Sequence, residues 1–321
     1  MIEIEHDVAM GPLLDQVARE LGRPVGQDLH ALTEALAARF GGAISAILFY
    51  GSCLRTQTTD EGLVDLYLLV DDYRDIHPST LGQWANALLP PTVFMFQCAN
   101  AAGTTLRAKC AILSISDFEK GTHSWFQSYL WARFAQPSRL VSSRNAPTRL
   151  RIERAICRAV LRMIGEALPQ QPGSFTSDTF WTRALSFTYG TELRPESSER
   201  PALITRQNRD YLAGVLAATA TAPAVGYGAS TTEGVYINHS TAAQRRHGAR
   251  RWAARRIQGR ALNLLRLIKS LFTVKGGVDY AIWKLERHWG EPIKHAERLR
   301  RYPLVFCWPL LWKLLKQRAR T

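Results

Sequence analysis

Residues 47–72, ILFYGSCLRTQTTDEGLVDLYLLVDD, decide how this chain is to be read. The run 44–50 (ISAILFY) is short, apolar and rich in strand-forming residues, and it ends at Gly51-Ser52. A polar connection follows, and 63–70 (LVDLYLLV) is a second buried strand. A period of two puts Val64, Leu66 and Leu68 on one face of that strand and Asp65, Tyr67 and Leu69 on the other. Two readings are open at this point. One is a plain strand–turn–strand unit with an edge aspartate. The other is a phosphate-binding turn beside a carboxylate that holds a metal. Asp71 and Asp72 follow at the strand end, where solvation accounts for them.

Outward from this window, residues 12–40 carry Leu13, Leu14, Val17, Leu21 and then Leu29, Leu32, Leu36 and Phe40 at helical spacing, and Gly41-Gly42 stops the run. Residues 92–98 (TVFMFQC) and 109–116 (KCAILSIS) are two more strands, and 117–135 reads as a helix ended by Pro137. An arginine-rich helix is expected over 147–168, a loop over 169–174, and helical structure over 175–220 broken at 194–201. Residues 221–240, rich in Ala, Gly, Thr and Ser, show no period and read as a loop. A long basic helix fits 241–273, Gly276-Gly277 break it, and 278–289 resume. The expected organisation is a sheet-bearing catalytic domain (1–145), a helical middle domain (146–240) and a basic C-terminal region (241–321).

The 321 residues suffice for a sizeable core in one to three domains. Five scattered cysteines with no Cys-x-x-Cys pair argue against a zinc site or a disulfide framework and for a reducing compartment. The acidic start, MIEIEHDVAMGPLLDQ, lacks the design of a signal peptide, and no stretch of about 20 apolar residues suggests a spanning helix. Charge is unevenly placed. Residues 1–140 hold 10 Lys/Arg against 15 Asp/Glu, whereas 241–321 hold 20 against 4. The basic part should meet an anionic partner.

Gly-Ser after a buried strand, with Asp inside the next, resembles the core of a nucleotidyltransferase. There a glycine lets backbone N–H groups approach the β- and γ-phosphates, a serine adds a donor, and carboxylates hold Mg²⁺. The usual Asp-x-Asp pair is incomplete here, because Tyr67 occupies the second position.

Four segments extend the likeness to one family: Tyr50-Gly51-Ser52 with Asp65 and Val70-Asp71-Asp72; 109–137 with Lys109, Asp117, Trp125, Tyr129, Arg133 and Pro137; 185–196 with Glu192 and Arg194; and 268–289 with Ser270, Gly277, Tyr280 and Lys284. Together they resemble the mitochondrial-type CDP-diacylglycerol synthases, the translocator assembly and maintenance proteins, and their bacterial relatives. In that family the first aspartate is followed by apolar residues, so the resemblance makes Tyr67 a family trait. Departures are Cys53 for a usual glycine, Cys110-Ala111 for Tyr-Gly, and Ile76-His77 without the following asparagine.

The resemblance implies an α/β nucleotidyltransferase fold with a small mixed sheet, and a helical second domain for which a winged helix is one form. It implies a phosphatidate cytidylyltransferase of phospholipid biosynthesis, converting CTP and phosphatidic acid to CDP-diacylglycerol and pyrophosphate with Mg²⁺. Asp65 with Asp117 or Glu192 would be catalytic, with Asp65 and Asp117 on the metal. Tyr50, Gly51, Ser52, Lys109, Arg133, Arg194 and Lys275 would bind the nucleotide.

Each of these residues also has a plainer reading. Asp117 suits a helix N-cap, and that role is compatible with metal binding. Glu192 and Arg194 could form a surface ion pair, Lys109 and Lys275 could be solvated lysines, His77 a loop histidine, and Trp125 and Tyr129 core residues. The segment 302–320 combines Trp308 and Trp312 with Lys313 and Lys316, the pattern of an interfacial helix, or of a terminal helix packed on the protein. The basic stretch 245–260 has no aromatic readout module, so an anionic membrane is the expected partner and nucleic acid is not. The expected location is the cytoplasm, peripheral on the inner face of the membrane. Rival functions are transfer to RNA or to a soluble small molecule, and a catalytically inactive membrane-binding relative.

Overall fold

The computed structural model describes residues 2–56, 63–76, 80–192, 199–220 and 225–273, with isolated positions 282, 286, 297 and 298. Over these the chain is mixed α/β. Helices α1 (Ile2–Leu21) and α2 (Gln27–Phe40) lead into strand β1 (Ile44–Tyr50), and the short α3 (Ser52–Thr56) follows the Gly-Ser turn. Next come β2 (Val64–Val70), α4 (Thr80–Leu88), β3 (Thr92–Ala99), β4 (Thr105–Ser114), α5 (Ile115–His123), α6 (Trp131–Phe134) and β5 (Arg139–Ser143). The five strands form one sheet in the order β3-β4-β2-β1-β5. All pairs are antiparallel except β2 with β4, which run parallel.

The expected alternation along β2 is present. Val64, Leu66, Leu68 and Val70 join Ile47 and Phe49 of β1 in a core closed by Leu29, Leu32 and Leu36 of α2. Tyr67 and Leu69 join Leu48 and Tyr50 in the core on the opposite face. A strand covered on both faces needs apolar side chains both ways, which is why β2 reads as a nearly continuous apolar run.

The second of these cores runs on through α7 (Ala146–Ala167), α8 (Ser177–Tyr189) and α10 (Arg209–Ala220) without a break at residue 145. Asn145 starts α7 by accepting a hydrogen bond from the Thr148 N–H at 2.9 Å, with Pro147 in the first turn. Between α7 and α8 lies β6 (Ser174–Thr176), and α9 (Arg200–Gln207) precedes α10. Residues 221–240 are not all loop: β7 (Tyr227–Ala229) and β8 (Val235–Asn238) form a hairpin, and the second sheet has the order β6-β8-β7. The residues 117–135 are not one helix either. α5 ends at His123, and a tight turn follows in which the Trp131 indole donates to the Trp125 carbonyl at 3.2 Å.

The last described element, α11 (Ala242–Thr273), is the expected basic helix. It is anchored at its middle. Trp252 is buried and donates to the Glu166 carbonyl at 2.9 Å, and Arg255, fully buried, meets the Glu166 carboxylate at 2.7 Å and donates to the Phe126 carbonyl at 2.7 Å. Gly259 lets the helix close on Thr191, whose carbonyl oxygen would lie 2.4 Å from a Cβ. Beyond these contacts the C-terminal turns of α11 reach the residues just before β3, where Arg266 and Lys269 meet the carbonyls of Leu89, Pro90 and Pro91. No described helix is long and apolar enough to cross a membrane.

Candidate active site

Gly51 follows the last residue of β1 with a φ of +96°, a conformation that favours glycine. Space demands glycine as well. A Cβ there would stand 2.7 Å from Asp65 Oδ2. The turn therefore leans directly on the one carboxylate inside β2. Asp65 is paired across the sheet with Tyr50 on one side and Lys109 on the other. The Lys109 ammonium lies 3.8 Å from Asp65 Oδ1, and both side chains keep partial exposure, 38% and 23%. Ser52 is exposed at the start of α3, and Cys53 is buried with its thiol donating to the Leu63 carbonyl at 3.3 Å, which fastens the turn to the entry of β2.

Tyr67, two residues along β2, is fully buried and its hydroxyl accepts a hydrogen bond from Arg133 Nη1 at 2.8 Å. The Arg133 guanidinium lies 4.4 Å from the Tyr129 ring centroid and 5.2 Å from that of Tyr50. A second guanidinium arrives from α11: Arg266 lies 4.1 Å from the Tyr129 ring and donates to the Pro90 carbonyl at 3.0 Å and to Gln127 Oε1 at 2.7 Å. One turn on, the Lys269 ammonium donates to the carbonyls of Leu89 at 2.7 Å and Pro91 at 3.0 Å.

The electrostatics follow from this crowding of cations. Burial raises the Tyr67 phenol well above the usual range, against the pull of Arg133. Burial would also raise Tyr129, but Arg133, Arg266 and Lys109 together override it and bring that phenol down to about 8. Burial works against the charge of Arg133 too, yet the phenols of Tyr67, Tyr129 and Tyr50 and the Glu192 carboxylate hold it more firmly protonated than usual. Burial, with Arg266 beside it, lowers Lys269 to about 8.

Glu192, just past α8, lies within electrostatic reach of the Arg133 and Arg266 guanidiniums. The contact between Ser128 and Thr191, 2.8 Å between their hydroxyls, fixes that approach. Asp117 is not brought there. In the parallel pairing Asp65 faces Lys109 and Val70 faces Ser114, so five residues, about 16 Å of strand, separate the two levels. Asp117 lies beyond Ser114, whose hydroxyl accepts from the Asp117 N–H at 3.0 Å, and its carboxylate accepts from the Tyr73 hydroxyl at 2.6 Å. The expected sharing of a metal ion by Asp65 and Asp117 is therefore corrected. Asp117 sits in the first turn of α5 at the other end of the sheet, and the capping role read for it is corrected as well: Ser114 is the N-cap, and Asp117 supplies the N–H that it caps. Asp71 and Asp72 are also turned away, onto Arg144 and Arg74.

Mg²⁺ was expected on paired carboxylates. Among the described residues no group of three or more metal-binding side chains occurs. Asp65 offers hard oxygen on a partly exposed edge, a donor that fits Mg²⁺ where phosphate oxygens and water complete the shell, as is usual for that ion. Arg194, Lys275, His77 and the segment with Trp308, Trp312, Lys313 and Lys316 lie outside the described residues. Sequence reasoning missed Arg266 and Lys269. Their signal was present as two cations three apart within an otherwise apolar stretch of a basic helix (LLRLIKS, 264–270).

The arrangement can bind a polyanion: Lys109, Arg133 and Arg266 converge on Tyr129, Arg133 also lies against Tyr50 beside the glycine turn, and Asp65 adds a carboxylate next to Lys109. No protein-family model matches the sequence, and no curated protein matches it.

Proposed function

We propose that the chain is a nucleotidyltransferase that moves the cytidylyl group of CTP onto the phosphate of phosphatidic acid, releasing pyrophosphate and giving CDP-diacylglycerol for phospholipid synthesis. The observation that carries this reading is the Gly51 turn packed against Asp65 with Lys109 at 3.8 Å, facing the Arg133 and Arg266 guanidiniums. The order strand, Gly-Ser turn, short helix, antiparallel strand with an aspartate, then a parallel strand supports the nucleotidyltransferase fold. The order α7-β6-α8-α9-α10-β7-β8, with β8 between β6 and β7, supports a winged helix carrying one additional helix.

In this reading a lipid phosphate oxygen attacks the α-phosphorus of CTP. The bond from that phosphorus to the bridging oxygen of the β-phosphate breaks, and pyrophosphate leaves with the electron pair. The nucleophile is already anionic, so no strong base is needed. The Gly51-Ser52 turn and Lys109 hold the triphosphate, Arg133 and Arg266 neutralise charge on transferred and entering phosphates, and Glu192 steadies the two guanidiniums. Asp65 would hold Mg²⁺, which supplies Lewis-acid polarisation of phosphate oxygens. The basic C-terminal region keeps the protein on the anionic surface where its insoluble substrate resides, peripheral to the cytoplasmic face.

Incubation with labelled CTP, Mg²⁺ and phosphatidate vesicles tests the reading. CDP-lipid that disappears with Asp65→Ala supports it. Labelled RNA, or a soluble cytidylyl adduct, points to another acceptor. Vesicle binding without any turnover points to an inactive relative.

A further inference from the structure

α4 carries two large apolar side chains in solvent, Trp84 and Leu88, 66% and 78% exposed and one turn apart. Their place in the fold is specific. Lys269 donates to the Ala85 and Leu89 carbonyls and Arg266 to that of Pro90, so the end of α4 is held against the edge of α11 beside the cation cluster. One turn before Lys269, Leu265 is half exposed, and Ile257, two turns further back, is also exposed. The spacing of residues 246, 250, 257, 261 and 265 puts Arg246, Arg250, Ile257, Ala261 and Leu265 on one face of α11. Arg256 and Arg260 flank that stripe, and all four of these arginines are exposed. None of the four is ion-paired among the described residues.

Charge decides what can cover this face. Residues 242–273 hold nine Lys/Arg and no Asp or Glu, and α4 holds no charge at all. A second copy would bring the same cationic face. The chain's own residues 274–321 hold 11 Lys/Arg against 4 Asp/Glu and repeat the sign. The complement must be anionic and must also accept Trp, Leu and Ile side chains. A nucleic-acid backbone satisfies the first condition and leaves the apolar residues in water. An anionic bilayer satisfies both, taking the apolar side chains to the acyl boundary while arginine stems lie along it with their charges at the headgroups.

We propose that the outward face of α11, with Trp84 and Leu88 of α4, is the docking surface for an anionic lipid bilayer. Its role in delivering substrate rests on the lipid-phosphate reading above; the docking itself does not.

Flotation of the full chain with phosphatidylcholine vesicles, with and without phosphatidylglycerol and in the absence of nucleotide, therefore tests it separately. The wild type is expected to bind the anionic vesicles only. Trp84→Ser/Leu88→Ser, and independently Ile257→Ser/Leu265→Ser, are expected to weaken binding about tenfold or more with an unchanged thermal melt, because the side chains are exposed. Undiminished flotation of both variants overturns the proposal. So does retention of a single-stranded RNA in place of vesicles, or a dimer that Trp84→Ser/Leu88→Ser dissolves while the wild type ignores lipid. Loss of vesicle binding in the two variants, when the wild type binds vesicles but makes no CDP-lipid from any phosphatidate, leaves the docking surface standing and removes the proposed reaction.

Discussion

Gly51→Ala separates two reasons for one glycine. The first is backbone conformation: a non-glycine residue at a φ of +96° costs about 1–3 kcal/mol. The second is space. The added Cβ would lie 2.7 Å from Asp65 Oδ2, and the carboxylate would have to retreat by about 0.7 Å to reach ordinary contact at 3.4 Å. Because that oxygen ends a side chain that can rotate, the fold survives and the displacement falls on the pairing with Lys109. Misplacement on this scale, when a reacting group is involved, costs about tenfold to a hundredfold in rate. Gly103→Ala is the control, since residue 103 has a φ of +79° and no atom within 4 Å of an added Cβ. Both variants are expected to lose a few degrees of Tm, and only Gly51→Ala is expected to lose CTP binding and CDP-lipid formation. Equal turnover in the two variants, or a Gly51→Ala protein with wild-type Tm and activity, would refute the reasoning that the turn positions Asp65.

Asp117→Asn is expected to retain turnover while losing about 1–2 kcal/mol of stability in a denaturant titration, because it weakens only the 2.6 Å bond from Tyr73 and lies at the far end of the sheet. Burial would raise the Glu166 carboxyl, but Arg251, Arg255 and Arg162 hold it at about 2. A depressed carboxylate contributes stability that is complete above about pH 4.5 and is lost as pH falls toward 2. Glu166→Gln, which leaves Arg255 buried without its counter-ion, should cost about 3–5 kcal/mol at neutral pH by the same titration and remove that acid limb. Tyr129, drawn down to about 8, supplies a competing phenolate as pH rises. Affinity for CTP measured by calorimetry should therefore fall as pH rises through about 8 in the wild type and fall less steeply in Tyr129→Phe, where Lys269, also at about 8, is left to lose its charge. A parallel decline in both would place the titration on another group.

The sequence made the Gly-Ser end of the sheet legible because strand signals there are strong. ISAILFY and LVDLYLLV are long enough for the period of two to assign faces, and that assignment put Asp65 and Tyr67 on the same side. Lys109 was legible for the same reason, as the start of an apolar strand. The hairpin of β7 and β8 was not, since strands of three and four residues in a Gly- and Thr-rich stretch are too short to show a period. The single helix expected over 117–135 failed on a tertiary contact. A Cβ at Gly121 would meet Leu130 Cδ1 at 2.2 Å, so the chain doubles back at this point instead of running straight. Asp117 was misplaced because a motif gives order along the chain and not the end of a strand to which a residue belongs. Arg266 and Lys269 were invisible as site residues because the helix that bears them reads simply as basic. Only the anchoring of Trp252 and Arg255 on Glu166 shows where that helix ends up.

Tyr67 is the residue on which these strands of argument meet. A carboxylate in its place would form a buried ion pair with Arg133 and cancel the charge that a phosphate needs. The phenol does something different. It accepts one hydrogen bond from the guanidinium at 2.8 Å, while the rings of Tyr50 and Tyr129 receive its faces, so on β2 Arg133 is oriented by a neutral phenol and keeps its charge. Burial keeps the Tyr67 phenol protonated, which makes that orientation independent of pH over the physiological range. Tyr129, drawn down to about 8, lies against both Arg133 and Arg266, and in the proposed reaction an incoming phosphate would replace it as their counter-charge. In this reading the loss of a metal carboxylate and the gain of a preserved guanidinium are one change: charge neutralisation passes in part from a second carboxylate-bound cation to a fixed arginine. That substitution is coherent only because α11 supplies Arg266 to the same place. A site with one carboxylate on β2 thus depends on an arginine 201 residues further along the chain.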